Sequence, residues 1–274
     1  MTTRPSDLTL LFEAACRPVG GEAGLDRDAV EELHRTPSRE VLDLATSACL
    51  ASDPVRRAAG SAVLGQLGHD RPGFVPVFHE ERHAALTALL AREDDPSVLA
   101  EVLVALGHLH DPRCIAAAAA LRPHPDAGVR LGVVHCLSGH EDPVAVDALA
   151  ALTADVEAEV RDWATFGLGQ LTSADTEAVR AALRARLADA DADVRCEAVA
   201  GLAARRDPAA GPALETELAA RISAPLLEAA AALADRGLMP GLEAARAAHR
   251  PLPEHLEDAW LEAAAACGWA GGRT

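Results

Sequence analysis

The first residues whose types and spacing could do chemistry are His79-Glu80-Glu81-Arg82-His83. On a helix, histidines four positions apart share a face and could ligate zinc, with Glu80 as the general base of a hydrolytic reaction. A zinc-protease helix keeps its two middle positions uncharged and buried, whereas Glu81 and Arg82 are both charged, and no third-ligand motif follows. The segment therefore reads as an exposed charged turn opening a helix. No metal and no other cofactor is expected, and His79, Glu80 and His83 are the residues to check. The six cysteines, Cys16, Cys49, Cys114, Cys136, Cys196 and Cys267, are far apart in sequence and read as small buried apolar residues. No Ser/His/Asp arrangement at recognisable spacing, no P-loop and no glycine-rich dinucleotide turn is present.

The elements that must position any site are helices. Alanine fills 62 of 274 positions, aromatic residues make up 3%, and Lys, Asn and Tyr are absent. Such an Ala/Leu/Glu/Arg-rich chain is all-α. A motif close to Asp-x-x-Val-Arg-x-x-Ala-x-x-x-Leu-Gly recurs from Asp53, Asp95, Asp126, Glu157 and Asp191, with degenerate copies from Ile222 and over 256–268. Its closing leucines, Leu64, Leu106, Leu137, Leu168, Leu202 and Leu233, are spaced by 42, 31, 31, 34 and 31 residues. With Val at position zero, positions zero, +4, +8 and +11 form one apolar helical stripe. The acidic residue at −3 suits a helix N-cap, and Pro54 and Pro96 suit the first turn. A second apolar helix precedes each motif, near 38–51, 76–93, 112–122, 143–154, 175–189, 208–220 and 239–249. Each unit is thus a helical hairpin that cannot bury its apolar face alone, so the hairpins must stack into an α-solenoid of six to seven units. The expected layout is an N-terminal cap over 1–37 with two short helices, a solenoid over 38–268 and a tail over 269–274. The long first interval places an insertion at 68–78.

The residues Asp53-Pro54-Val55-Arg56, Val129-Arg130, Val160-Arg161 with Leu168-Gly169, and Val194-Arg195 with Ala198 and Leu202 resemble the HEAT-repeat family, in particular the short HEAT-like repeats of the phycobilin-lyase type. The resemblance covers roughly 38–268. It implies that the motif helices line an inner, concave face, and that Arg130, Arg161 and Arg195 form a structural ladder with acids of neighbouring repeats. It is specific for fold and not for function. Deoxyhypusine hydroxylases hold two irons with His-Glu pairs at positions +2 and +3 of similar inner helices. Here those positions hold Ala100-Glu101, Leu131-Gly132, Asp162-Trp163, Cys196-Glu197 and Leu227-Glu228, without a histidine. The di-iron first shell is therefore missing. HEAT-like DNA glycosylases use Trp and Asp in a groove that must attract phosphates, and nothing identifies a tetrapyrrole site of the bilin-lyase kind.

The inner positions away from the apolar stripe are Glu101, His135, Asp162, Trp163, Phe166, Gln170, Glu197, Glu228, Asp258 and Glu262, with His108, Cys196 and Asp235 beside them. This set is acidic and contains no arginine, and the whole chain carries a formal charge of −17. Nucleic-acid binding requires a basic stripe, so it is not expected. The N-terminus has no apolar run of signal length and no 18-residue apolar window exists, so a cytoplasmic protein without membrane contact is expected. Trp163 and Phe166 among carboxylates suit an Arg- or Lys-bearing partner through ion pairing and cation–π contact. The expected function is a non-catalytic scaffold that binds a basic protein or peptide. The alternative is an enzyme of the HEAT-like lyase or hydroxylase type. An enzyme should show a deep pocket holding a perturbed titratable cluster, and a scaffold a broad shallow face.

Overall fold

A computed structural model describes residues 7–17, 24–68 and 77–269. Among these residues there are sixteen α-helices, two short 3-10 turns and no strand. Helices α1 (Asp7–Ala15) and α2 (Arg27–Arg35) form the N-terminal pair. Seven hairpins follow: α3 (Arg39–Ala48) with α4 (Pro54–Gln66), α5 (His79–Leu90) with α6 (Pro96–Leu109), α7 (Ile115–Ala120) with α8 (Ala127–Leu137), α9 (Pro143–Leu152) with α10 (Ala158–Gln170), α11 (Glu177–Arg186) with α12 (Ala192–Ala204), α13 (Ala210–Ala220) with α14 (Ala224–Leu233), and α15 (Met239–Ala248) with α16 (Glu254–Ala266). The chain is an α-solenoid by class and divides into two compact units, Met1–Leu137 and Ser138–Thr274. In the first unit α4, α6 and α8 pack in series; in the second, α10, α12, α14 and α16 do. The insertion expected at 68–78 is described only at Gly68, Val77 and Phe78; residues 69–76 lie outside the described set.

The helices begin where their capping chemistry dictates. The Asp53 and Asp95 carboxylates accept backbone N–H bonds from Val55 and Ser97 at 3.1 and 2.9 Å, and proline occupies the next position. Glu157 makes no such side-chain bond; Asp155, two residues earlier, accepts the N–H of Glu157 instead.

The motif leucines Leu64, Leu106, Leu137, Leu168 and Leu202 are fully buried. Leu233 is only half-buried, contrary to expectation. Pro225 stands at position zero of that copy, and Leu226 and Leu227 turn inward in its place, which rotates the buried face of α14. The glycine beside the motif leucine permits close helix approach. A Cβ on Gly201 would lie 2.7 Å from the Gly169 Cα across the α10–α12 crossing, and one on Gly65 would lie 2.9 Å from the Ala105 Cα.

The arginine ladder exists within each unit. Arg161 pairs with Asp189 at 2.9 Å and Arg195 with Glu217 at 2.6 Å, and both also donate to carbonyls five and six residues earlier. Arg130 makes the same backbone bonds, to the His124 and Pro125 carbonyls. In the first repeat this role belongs to Arg57, paired with Glu93 at 2.6 Å, and not to Arg56, which pairs with Glu13 of α1. The Asp53 cap sets the register there, so Arg56 falls on the usual valine position. Two further arginines close the C-termini of the second helices of hairpins. Arg82 donates to the carbonyls of Leu64, Gly65, Leu67 and Val77. Arg205 donates to those of Leu168, Gly169, Thr172, Ala174 and Gly201. Both satisfy helix-end carbonyls that have no intrahelical partner.

Candidate functional site

In the second unit α10 carries Asp162, Trp163, Phe166 and Gln170, α12 carries Glu197 and α14 carries Glu228. Trp163 keeps 41% of its surface exposed and meets Phe166 edge-to-face, ring centres 5.8 Å apart at 90°. An exposed indole backed by a half-buried phenyl ring offers a rigid apolar anchor and a π face for a cation. Asp162 is half-buried, and its Oδ1 is out of solvent contact without a hydrogen-bond partner. Burial pushes its carboxyl up to about 6, reinforced by Asp193, Asp191 and Glu159. Burial likewise pushes Glu197 up to about 7, with the charge of Asp162 adding to it and the hydrogen bond donated by Gln170 Nε2 opposing it; Glu228 and Asp193 raise it further. Four positions from the sequence set, Asp162, Gln170, Glu197 and Glu228, therefore act on one another. Both raised carboxyls share a cause, burial beside like charge without a cation, and a bound cation would remove the like-charge part of it.

The remaining positions lie on other helices. Asp258 and Glu262 are exposed on α16. Glu101 and His135 belong to the first unit, where Glu101 is ion-paired with Arg27 of α2 and His135 is half-buried on α8. Sequence reasoning missed Asp193, held by Arg221 at 2.8 Å, because the acid sits in the first turn of α12 and its role depends on the neighbouring crossing.

A cavity of about 400 Å³ opens beside this group, with a floor of Gly169, Ala200 and Ala229 and with Gln170, Arg205 and Glu228 among its walls. Asp162 and Glu197 do not line it. Of its charged groups, Arg205 is spent on backbone carbonyls and Asp175 is held low by Arg180. The perturbed carboxyls thus stand outside this open cavity, with Glu197 joined to its wall through Gln170.

The His79–His83 segment is not the exposed turn that its charges suggested. Arg82 is 2% exposed and His83 is buried, because the Arg82 guanidinium is drawn into the C-terminal carbonyls of α4. The two imidazoles stack, centres 6.5 Å apart, with Nε2 atoms 3.9 and 3.8 Å from the Asp111 carboxylate. That carboxylate is held well below its ordinary range by hydrogen bonds from Arg113. Glu80 points outward to the same arginine at 3.0 Å. The guanidinium already supplies the positive charge that a metal would bring. Among the described residues no group of three or more His, Cys, Asp or Glu is arranged to hold a metal ion. Five of the six cysteines are buried as expected, but Cys114 and Cys136, distant in sequence, touch at 3.5 Å between sulfurs.

Residues 84–169 match the family model for HEAT repeats. A search of curated proteins finds no significant match. Among solved structures, YibA of Escherichia coli is similar with a TM-score of 0.68 at 18% identity, over 96% of this chain and 98% of that one. Human deoxyhypusine hydroxylase in complex with glycerol matches at a TM-score of 0.36 and 18% identity, over 94% of this chain and 95% of that one. No helix among the described residues is long and apolar enough to cross a membrane. The repeated hairpins, the buried motif leucines and the arginine ladder accord with HEAT repeats at residues 84–169, set within an all-helical α-solenoid.

Proposed function

We propose that the second unit is a docking module for a partner protein, and that it receives a segment carrying an apolar residue and an arginine. The observation that carries this reading is Trp163, exposed and packed edge-to-face on Phe166, on the same helix as Asp162, whose carboxyl, like that of Glu197, is raised by burial and by neighbouring like charge. An apolar side chain would pack on the aromatic pair, and a guanidinium would satisfy the buried Asp162 oxygen and the Glu197 carboxylate. Trp163 and Gln170 are seven residues apart on α10, about 10 Å by the helical rise. An extended chain advances about 3.3 Å per residue, so the apolar residue and the arginine would stand about three residues apart. The separation of the perturbed carboxyls from the cavity favours this scaffold role over an enzyme that encloses its substrate.

The test is titration of the protein with acetyl-Leu-Gly-Gly-Arg-amide, followed by calorimetry. The expected result is binding that weakens at least tenfold in Trp163→Ala and less in Glu197→Gln, with helicity unchanged in both. Binding equal in wild type and both variants, or no binding of this peptide or of its lysine analogue, would remove the reading.

A further inference from the structure

The first unit contains, within its own fold, an arginine seated on an inner-helix glutamate. Arg27, in the first turn of α2, reaches α6 and engages both oxygens of Glu101, with Nη1 3.3 Å from Oε2 and Nη2 bonded to Oε1. Glu101 follows Val98 by three residues, as Glu197 follows Val194, so the two acids occupy the same place in their repeats. Beside the ion pair lies a cavity of about 250 Å³ with apolar walls from Leu25, Val55, Ala58 and Val98. Its second acid, Asp95, already accepts the N–H groups of Ser97 and Val98 as the cap of α6. Glu101 is therefore the carboxylate there that a cation can take.

The two sides of the ion pair are unequally held. The Arg27 side chain is 62% exposed, whereas that of Glu101 is 21% exposed. The carboxylate belongs to a built surface. The arginine lies across it largely in water, where ion pairs are weak and screened by salt. Two-point engagement of a carboxylate suits a planar guanidinium and not a lysine ammonium.

We propose that Glu101 and the adjoining apolar cavity form a second arginine-binding seat, which the N-terminal pair fills intramolecularly with Arg27. The proposal rests on the reading that inner-helix glutamates at this repeat position accept guanidinium groups. It adds a regulation: the chain masks one such seat with its own side chain, and a partner arginine must displace Arg27 to use it.

The test counts seats. Wild type, Arg27→Ala, Glu101→Gln and the Arg27→Ala/Glu101→Gln double variant are titrated with acetyl-Leu-Gly-Gly-Arg-amide at low ionic strength. The expected stoichiometry is one peptide for wild type, two for Arg27→Ala, one for Glu101→Gln and one for the double variant. Glu101→Gln breaks the same ion pair without freeing a carboxylate, so it separates unmasking from loosening of the N-terminal pair. A stoichiometry in Arg27→Ala that equals wild type overturns the proposal, as does a gain in Arg27→Ala that persists in the double variant. If wild type binds none while Arg27→Ala binds one that Glu101→Gln removes, the masked seat stands and the docking role of the second unit falls. If no protein binds the peptide, both fall.

Discussion

Asp162 and Glu197 hold their protons more tightly in the folded protein than in an unfolded chain, where carboxyls titrate near about 4. Each therefore opposes folding at pH 8. That opposition is relieved as pH falls through about 7 for Glu197 and about 6 for Asp162. Asp162→Asn and Glu197→Gln should raise the melting temperature at pH 8 and leave it almost unchanged at pH 4.5, which thermal unfolding followed by circular dichroism would check. Asp207 works in the opposite sense: hydrogen bonds from Arg184 and Arg180 pull it down to about 2, so the stability it contributes is present above about 4 and is lost in more acid solution. At the same scale, Arg205 is the side chain whose loss should be felt most. Arg205→Met removes the side-chain donor to the carbonyls of Gly169, Thr172, Ala174 and Gly201, leaving Leu168 with the Thr172 hydroxyl alone, and should cost about 3 kcal/mol or more in urea unfolding. Neither Arg205 nor Arg82 was legible in the sequence. Their work is done on backbone oxygens, which carry no residue identity for a pattern to reveal. The Arg161 and Arg195 ladder was expected from the resemblance to HEAT repeats, and Asp189 and Glu217 are the acids that complete it.

At the scale of helices, the hairpins follow from two periodicities that sequence displays openly, the apolar stripe and the acidic cap. Each of the seven expected first helices is present, although α7 is only the six residues Ile115–Ala120, preceded by a 3-10 turn over Pro112–Cys114. What the pattern concealed is how the helices approach. The α10–α12 crossing brings Gly169 and Gly201 so close that a side chain on either meets backbone. Gly201→Val should therefore push α12 off α10 and destabilise the second unit by about 1–3 kcal/mol, measured by urea unfolding. Leu168→Ala, on α10, opens a cavity at a fully buried position and should cost about 2–5 kcal/mol. The rotated face of α14 shows the limit of pattern matching. The spacing placed Leu233 inside, but proline at position zero moved that duty to Leu226 and Leu227. The buried state of Arg82 and His83 has the same origin, since local charge does not reveal the helix end waiting to be capped.

At the scale of the whole molecule, a formal charge of −17 sets a field that favours cationic partners and opposes polyanions. The acidic character of the inner positions was visible in the sequence, but its division was not. Arg27 and Glu101 are separated by 74 residues, so nothing local announces that one acid is already occupied while Asp162 and Glu197 have no cationic partner among the described residues. The central claim is that this acidic and aromatic group receives a partner's arginine. The most direct measurement is the affinity of acetyl-Leu-Gly-Gly-Arg-amide for wild type and Trp163→Ala across ionic strength, from a Debye length of about 30 Å at 0.01 M salt to about 8 Å at 0.15 M. The account predicts that wild-type affinity falls steadily with salt and that Trp163→Ala is weaker at every point, by about 2 kcal/mol. Affinity indifferent both to salt and to the loss of Trp163 would contradict it.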